Sequence, residues 1–478
     1  MPATFRRMNI IQRTADTCTI RILFVVMIIL PLFFQLPFNL YDDSNTLIIA
    51  SGVLTRLPIP FSVPACLMGI ALYGGFRRTA LPSWVLVVTS CFLMIFTSII
   101  VSEGAVAIEK WKLLFLQYLL PMSAFIFGYI FERSQQESTI AERGILITVG
   151  LIVPSQLLST WMYRSSFFPP FSHYQNILEY FQPLSAALHE NVFFFTIYQH
   201  LQYVPCILIG AYFFSLYSLW DRGKVRYYLI ALTPVIGVYA VASTSKLALG
   251  WYLIGVIGFV IYYCRKNHLI LPILLMVISL LLPVGYFSLG TKTDKGDNIL
   301  NKKYSFLLPK NTIHEMNDSS GDPELEIAVP VQINKTEKLE GSEWISGRLR
   351  YWRFYINRIT ESRLSLFFGN PGQPDISKIP SAHNYYIDFV YNFGLLAILP
   401  LLFAVSATII LIVANIGTIY KSPSLLGLTF TVLFLMFVDN SLKVGMRQMY
   451  PGIVTFFLWG LLLNRLITIA NIRKYSIK

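Results

Sequence analysis

Long apolar runs recur along the chain, separated by short polar connections in which arginine and lysine collect. A helix needs about 20 mostly apolar residues to cross a bilayer. Runs of this kind occupy 22–40, 57–75, 81–101, 113–131, 144–162, 199–219, 227–243, 247–263, 269–287, 386–416, 424–441 and 449–469. They predict an all-α polytopic fold of about twelve transmembrane helices. The second run is interrupted by Pro58, Pro60 and Pro64, and Ser245–Lys246 separates the seventh from the eighth. The pattern breaks once, in a polar stretch at 288–385 between the ninth and tenth runs. Residues 288–343 mix Lys, Asp, Glu, Asn and Ser with few aromatics, which predicts a loose insertion. Residues 344–385 are rich in arginine and aromatic side chains and lead straight into the tenth run. The expected organisation is helices 1–9 over 1–287, a large loop over 288–385, and helices 10–12 over 386–478. No internal repeat of the transporter kind is visible.

Composition agrees. Of 478 residues, 55% are hydrophobic and 13% charged, against roughly 25% charged in soluble domains. The net charge of +13 does not call for nucleic acid, because the basic residues sit at helix ends, as membrane orientation requires. One set of connections holds Arg6–Arg7, Arg77–Arg78, Arg133, Arg222, Lys224, Arg226, Arg265–Lys266 and Arg473–Lys474. The opposite set holds Asp42–Asp43, Glu103, Glu179 and Glu190. The basic set is expected in the cytoplasm, with both termini, which needs an even number of spans. The 288–385 loop then faces outward, and a loop this long usually has a function. The N-terminal run lacks an obvious small-residue cleavage site and reads as a retained helix. The cysteines, Cys18, Cys66, Cys91, Cys206 and Cys264, lie in or beside apolar runs and show no disulfide or zinc spacing.

Candidate chemistry concentrates between Gly347 and Leu396. At 100° per residue, Leu349, Trp352, Ile356 and Ile359 fall on one face of an amphipathic helix. Arg350, Arg353 and Arg358 fall on the other side, where they, with Arg363, would meet lipid headgroups on the membrane surface. Arg348 projects from the apolar side and needs an anionic partner there, for which a diphosphate or carboxylate suits its forked donors. Gly369-Asn-Pro-Gly372 is turn-forming. Ser381-Ala-His383-Asn384 stands where the tenth helix begins, with Asp388 five residues beyond His383 and Tyr385–Tyr386 suited to an interfacial belt. His383 is either a base that titrates near neutral pH or a helix cap. His189–Glu190 reads as a polar rim, His200 and Gln202 would line a cavity inside the sixth helix, and Asp439–Asn440 with Lys443 would pair near the end of the eleventh. No carboxylate pair or external Asp-x-Asp marks a metal site.

The pattern resembles the O-antigen ligase and O-antigen polymerase superfamily. Members share Gly-Arg with Trp four residues later, a small glycine turn, and His-Asn, then nine residues, then Gly. Here these are Gly347, Arg348 and Trp352; Gly369 and Gly372; His383, Asn384 and Gly394. The motif covers about 50 residues, and the twelve-span layout extends the likeness weakly over the rest. Members often carry a second glycine where this chain has Ala397, and ligases commonly carry Ser-Arg where it has Ser245–Lys246.

The resemblance implies a glycosyltransferase-C-like membrane enzyme without metal or cofactor, in the bacterial inner membrane with its site at the periplasmic face. It implies an inverting transfer from a glycan on undecaprenyl diphosphate. His383 would act as base, with Arg348 and Lys246 as the cations of the leaving diphosphate. Asn384, Arg350, Arg353 and Trp352 would bind substrate. Partners would be the lipid-linked donor, a glycan or lipid A-core acceptor, membrane lipids, and a chain-length regulator and flippase. The insertion at 288–343 favours a polymerase over a ligase. A lipid-glycan transporter would need charges deep in several spans, and a non-enzymatic scaffold would not need the histidine constellation.

Overall fold

The computed structural model describes residues 21–29, 83–103, 114, 118–131, 135–165, 191–194, 197–200, 204–242, 246–264, 274–275, 277–281, 343–371, 382–442 and 449–476. The helices in chain order are α1 (Ser83–Glu103), α2 (Leu120–Phe131), α3 (Gln135–Ser165), α4 (Val204–Leu219), α5 (Val225–Ala242) and α6 (Lys246–Cys264). After the polar stretch come α7 (Glu343–Thr360), α8 (Arg363–Phe368), α9 (Tyr385–Ala414), α10 (Ile416–Lys421), α11 (Pro423–Leu433) and α12 (Met449–Ser476). A π-helical turn, Phe434–Asp439, and a last turn, Asn440–Leu442, extend α11.

Four helical stretches are long and apolar enough to cross a membrane: Leu247–Cys264, Tyr385–Ala414, Pro423–Leu442 and Gly452–Ile472. Shorter apolar helices, Val88–Ser102, Leu120–Phe131, Pro205–Leu219 and Val225–Val241, stand among them. The described chain is therefore a helical bundle of the polytopic membrane kind. Apolar side chains such as Leu399, Phe403 and Ile410 point outward, which a lipid environment favours.

Two boundaries differ from the sequence expectation. The fifth run is part of a longer helix, because α3 continues N-terminally through the polar residues from Gln135. The sixth begins at Val204, and the residues before it form a hairpin of β1 (Asn191–Phe194) and β2 (Ile197–His200). Val192, Phe193, Ile197 and Tyr198 have the β-branched and aromatic character that strands favour. His200 pairs with Asn191 in this ladder and does not sit inside a spanning helix.

The core is built on close helix contacts. A Cβ on Gly128 of α2 would lie 2.1 Å from the Phe457 carbonyl oxygen, and one on Gly460 of α12 would lie 2.1 Å from that of Phe125. Each helix thus presents a glycine to the other's backbone, the small-residue packing that membranes favour. Elsewhere the fit is aromatic: Trp251 of α6 stacks on Phe434 with centroids 3.6 Å apart.

The two ends of the bundle differ. At one end Glu142, on α3, takes bonds from three sides. Ser424 Oγ donates to it at 2.8 Å, and it pairs with Arg222 at 3.4 Å and Arg465 at 3.6 Å. This node joins α3, the α4–α5 connection, α11 and α12. At the other end α9 begins and α11 finishes, and α7 and α8 pack there.

Candidate functional site

The site is assembled where α9 begins. Asn384 caps that helix: its Oδ1 accepts from the backbone N–H of Tyr386 at 3.0 Å and of Ile387 at 3.2 Å. Asn384 Nδ2 donates to the Ser441 carbonyl at 3.1 Å, and Tyr386 Oη donates to the Met436 carbonyl at 2.8 Å. Both carbonyls belong to the π-helical and final turns after α11. A π turn changes the ordinary i to i−4 pairing, so the carbonyls around it are placed to accept from neighbours.

The preceding residue, His383, has φ 50°. Left-handed backbone is uncommon for a residue with a Cβ, and His383 is the only non-glycine with positive φ among the described residues. Its half-buried ring sits beside Tyr351 of α7, with centroids 5.7 Å apart. Burial lowers the imidazole pKa below its ordinary value, and the nearby positive charge of Arg348 lowers it further. The neutral ring is the favoured form, as a proton acceptor requires.

Arg348 faces inward, as its sequence position predicts. Its Nη1 donates to the carbonyl of Leu442. The partner is a carbonyl at the end of a helix, where backbone dipoles leave partial negative charge, where the sequence suggested an anion. His383 is thus flanked by a guanidinium and an aromatic ring, both from α7.

The packed face of α7 is not the one expected. Tyr355 and Ile359 are buried, and Tyr355 meets Tyr391 of α9 with centroids 4.8 Å apart. Trp352 is half-buried, and its indole N–H is enclosed without an acceptor among the described residues. Leu349 and Ile356 are instead 51% and 46% exposed. The four predicted apolar residues therefore divide between an inner and an outer face. Packing of buried Tyr355 against α9 and of half-buried Arg348 against the α11 end turns the helix away from the purely apolar solution. Arg350, Arg353 and Arg358 are exposed, and Arg358 pairs with Glu361 at 3.0 Å.

A short turn joins α7 to α8, whose N-cap Ser362 accepts from Ser365 N–H at 2.9 Å. The hairpin is locked to α9 by two glycines. Gly369 ends α8 at φ 87°, and a Cβ there would lie 2.4 Å from the Asn392 carbonyl oxygen. Gly394 breaks α9 at φ 78°, ψ 173°, and a Cβ there would lie 2.2 Å from the Phe367 carbonyl oxygen. The break leaves the Tyr391 carbonyl without a helical partner, and Asn370 N–H donates to it at 2.8 Å. Only a residue without Cβ fits either place. Ala397, one turn further, is fully buried, and its carbonyl accepts from Cys91 Sγ of α1 at 3.4 Å.

Asp388, 2% exposed, lies in the first turn of α9, where helix polarity favours a carboxylate. Asn392 Nδ2 donates to its Oδ2 at 3.3 Å. Asp439 is also buried, at the end of the π turn. Lys246 opens α6, which runs from the His383 end of the bundle towards the Glu142 end. His189, Glu190, Gln202, Gly372, Ser381 and Lys443 lie outside the described residues. Among the described residues no three His, Cys, Asp or Glu side chains gather within metal-binding reach.

The structure thus brings His383, Arg348 and the Asn384 cap together, and leaves Arg350 and Arg353 on the surface. Sequence reasoning missed Tyr351 and the carbonyls of Met436, Ser441 and Leu442. Backbone acceptors carry no side-chain signature, so no motif would have found them. Comparisons with protein families, with curated proteins and with solved structures find no match.

Proposed function

We propose that this chain is a membrane glycosyltransferase that joins undecaprenyl-diphosphate-linked oligosaccharide units into a surface polysaccharide. In this reading it spans a bacterial inner membrane about twelve times, with the α7–α9 site at the periplasmic face. The observation that carries the reading is the placement of a half-buried, neutral-favouring imidazole beside an inward-facing arginine on a strained turn.

The chemistry follows from those groups. His383 takes the proton of an acceptor sugar hydroxyl, and the resulting oxygen attacks the anomeric carbon of the donor. The bond to the diphosphate breaks, its electron pair stays on the departing undecaprenyl diphosphate, and the anomeric configuration inverts. A diphosphate leaves without protonation if cations meet its charge as it develops. Arg348 supplies the nearest guanidinium, exchanging its Leu442 carbonyl for phosphate oxygens, and Lys246 a second charge. Asn384 acts by holding the His383 turn. Trp352 offers its enclosed N–H, and Arg350 and Arg353 stand outside as secondary contacts for the donor head.

The test is deletion of the gene with the surface glycans read on a gel. Loss of long chains, with single units still on the lipid core, is the expected result and marks a polymerase. Loss of all core-linked glycan, with lipid-linked polymer accumulating, would make the chain a ligase. An unchanged profile would overturn the glycan reading.

A further inference from the structure

Leu349 and Ile356 lie seven residues apart, so they form one line along α7, and they are half-exposed outside the spanning stretches. Arg353 stands between them, one turn from each, and is exposed. Leu364 and Phe367 add a second exposed apolar pair, three residues apart on α8, with exposed Arg363 beside them. Exposed apolar residues interleaved with arginine are what an interfacial helix presents to a bilayer.

Position in the fold decides the occupant. The hairpin packs on the first turns of α9 through Tyr355–Tyr391, and α8 meets α9 at Gly394, near the N-terminal end of an apolar stretch whose 30 residues exceed the roughly 20 that a crossing needs. Leu395 and Leu399 of α9 and Ile100 and Val101 of α1 are exposed apolar residues of neighbouring spans. The exposed apolar residues of the hairpin thus have counterparts on the two helices, α9 and α1, that α8 packs against. Its charge is cationic: Arg350, Arg353, Arg358 and Arg363 are exposed, and Glu361 answers Arg358 alone among them. Arginine stems lie along apolar surface while their heads reach phosphate.

We propose that the α7–α8 hairpin is an interfacial anchor, seating Leu349, Ile356, Leu364 and Phe367 among the acyl chains and its outer arginines on anionic phospholipid headgroups. The anchor fixes the height of the His383 turn against the headgroup plane, since Tyr351 and Arg348 belong to the same helix. It does not depend on the glycosyltransferase reading.

The test uses the full chain with its own cysteines replaced by alanine and a single cysteine carrying an environment-sensitive fluorophore. Ile356→Cys and Leu364→Cys probe the outer face, and Asn357→Cys probes a polar position of α7. The labelled proteins are placed in nanodiscs of phosphatidylcholine alone, or of phosphatidylcholine and phosphatidylglycerol in equal parts. At 356 and 364 the emission should shift to the blue and be quenched several-fold more by nitroxide lipid than at 357, which aqueous iodide should quench instead. Phosphatidylglycerol should deepen the shift, and replacing Arg350, Arg353 and Arg363 by glutamine should abolish that gain. Hydrogen exchange of the unmodified chain repeats the comparison without labels, with slower exchange over 349–357 in the anionic discs. Equal iodide quenching at 356 and 357, or no difference between the two lipid compositions, would overturn the proposal. Because no glycan transfer is measured, failure of the anchor and failure of the proposed activity are distinguishable.

Discussion

A residue with a Cβ holds φ 50° only where its surroundings impose it, and at His383 the neighbours do so. Ala382 before it is fully buried and Asn384 after it is fixed by three hydrogen bonds. Such a conformation costs on the order of 1–3 kcal/mol. His383→Gly keeps that backbone and removes the ring, separating strain from chemistry. Glycan transfer should fall about 10²–10⁴-fold while the protein remains folded in the membrane; near-normal chain length on the gel would end the base role. The acid limb is a second prediction. Burial and Arg348 both lower the pKa of His383 from 6.5, so the neutral ring persists and transfer should hold until the pH falls below that value. In the unfolded chain the ring gains its proton at higher pH, so stability begins to fall as pH drops below 6.5 and this group's contribution is lost once pH has fallen through the lower folded value. Arg348→Gln removes the neighbouring charge and should move the His383 titration upward, read from the imidazole resonances of labelled protein even if transfer is lost.

The glycine pair shows how a motif becomes geometry. Gly394 was legible as part of a pattern, but its purpose appears only where α8 crosses α9. Gly394→Ala would put a methyl 2.2 Å from the Phe367 carbonyl oxygen at a φ that alanine avoids. The α8–α9 crossing must open, and the variant should lose about 2–4 kcal/mol. Thermal unfolding in detergent measures the loss, and an unchanged midpoint would show that the crossing is not rigid. The face of α7 teaches the complementary lesson. Periodicity placed Leu349 and Ile356 with Trp352 and Ile359, yet tertiary contacts buried Tyr355 beside Ile359 and left Leu349 and Ile356 outside. An amphipathic helix has a broad apolar arc, and the helix it packs against selects the part that is buried.

Across the bundle, a buried carboxylate node and a histidine turn occupy opposite ends. Glu142 is 1% exposed and holds two arginines and a serine from three other parts of the chain. Arg465 is further enclosed, with its guanidinium 5.5 Å from the Phe214 ring centroid. Removing the carboxylate leaves cations facing one another in a poorly hydrated place. Glu142→Ala should therefore cost on the order of 3 kcal/mol, and Glu142→Gln less, because the amide still accepts from Ser424. Tm in detergent reads both; equal stability of Glu142→Ala and the native chain would make the node ornamental. Since the node lies far from α7, neither variant should move the titration of His383.

Apolar run length and the scarcity of charge determined, from sequence alone, that the chain is a bundle of apolar helices, because burying an uncovered backbone in lipid leaves few other solutions. Arg348 stood out because a guanidinium on an apolar helix face is costly without a partner, and His383 because an imidazole at the start of a spanning helix can titrate near neutral pH; Gly394 was marked only by the resemblance. The tertiary structure alone decided which side of α7 turns inward and which carbonyls receive Arg348 and Asn384. It also decided that Asn384, rather than His383, caps α9, and that Glu142, Arg222 and Arg465 meet. Those outcomes depend on contacts between segments distant in sequence, and local periodicity carries no information about which segments meet.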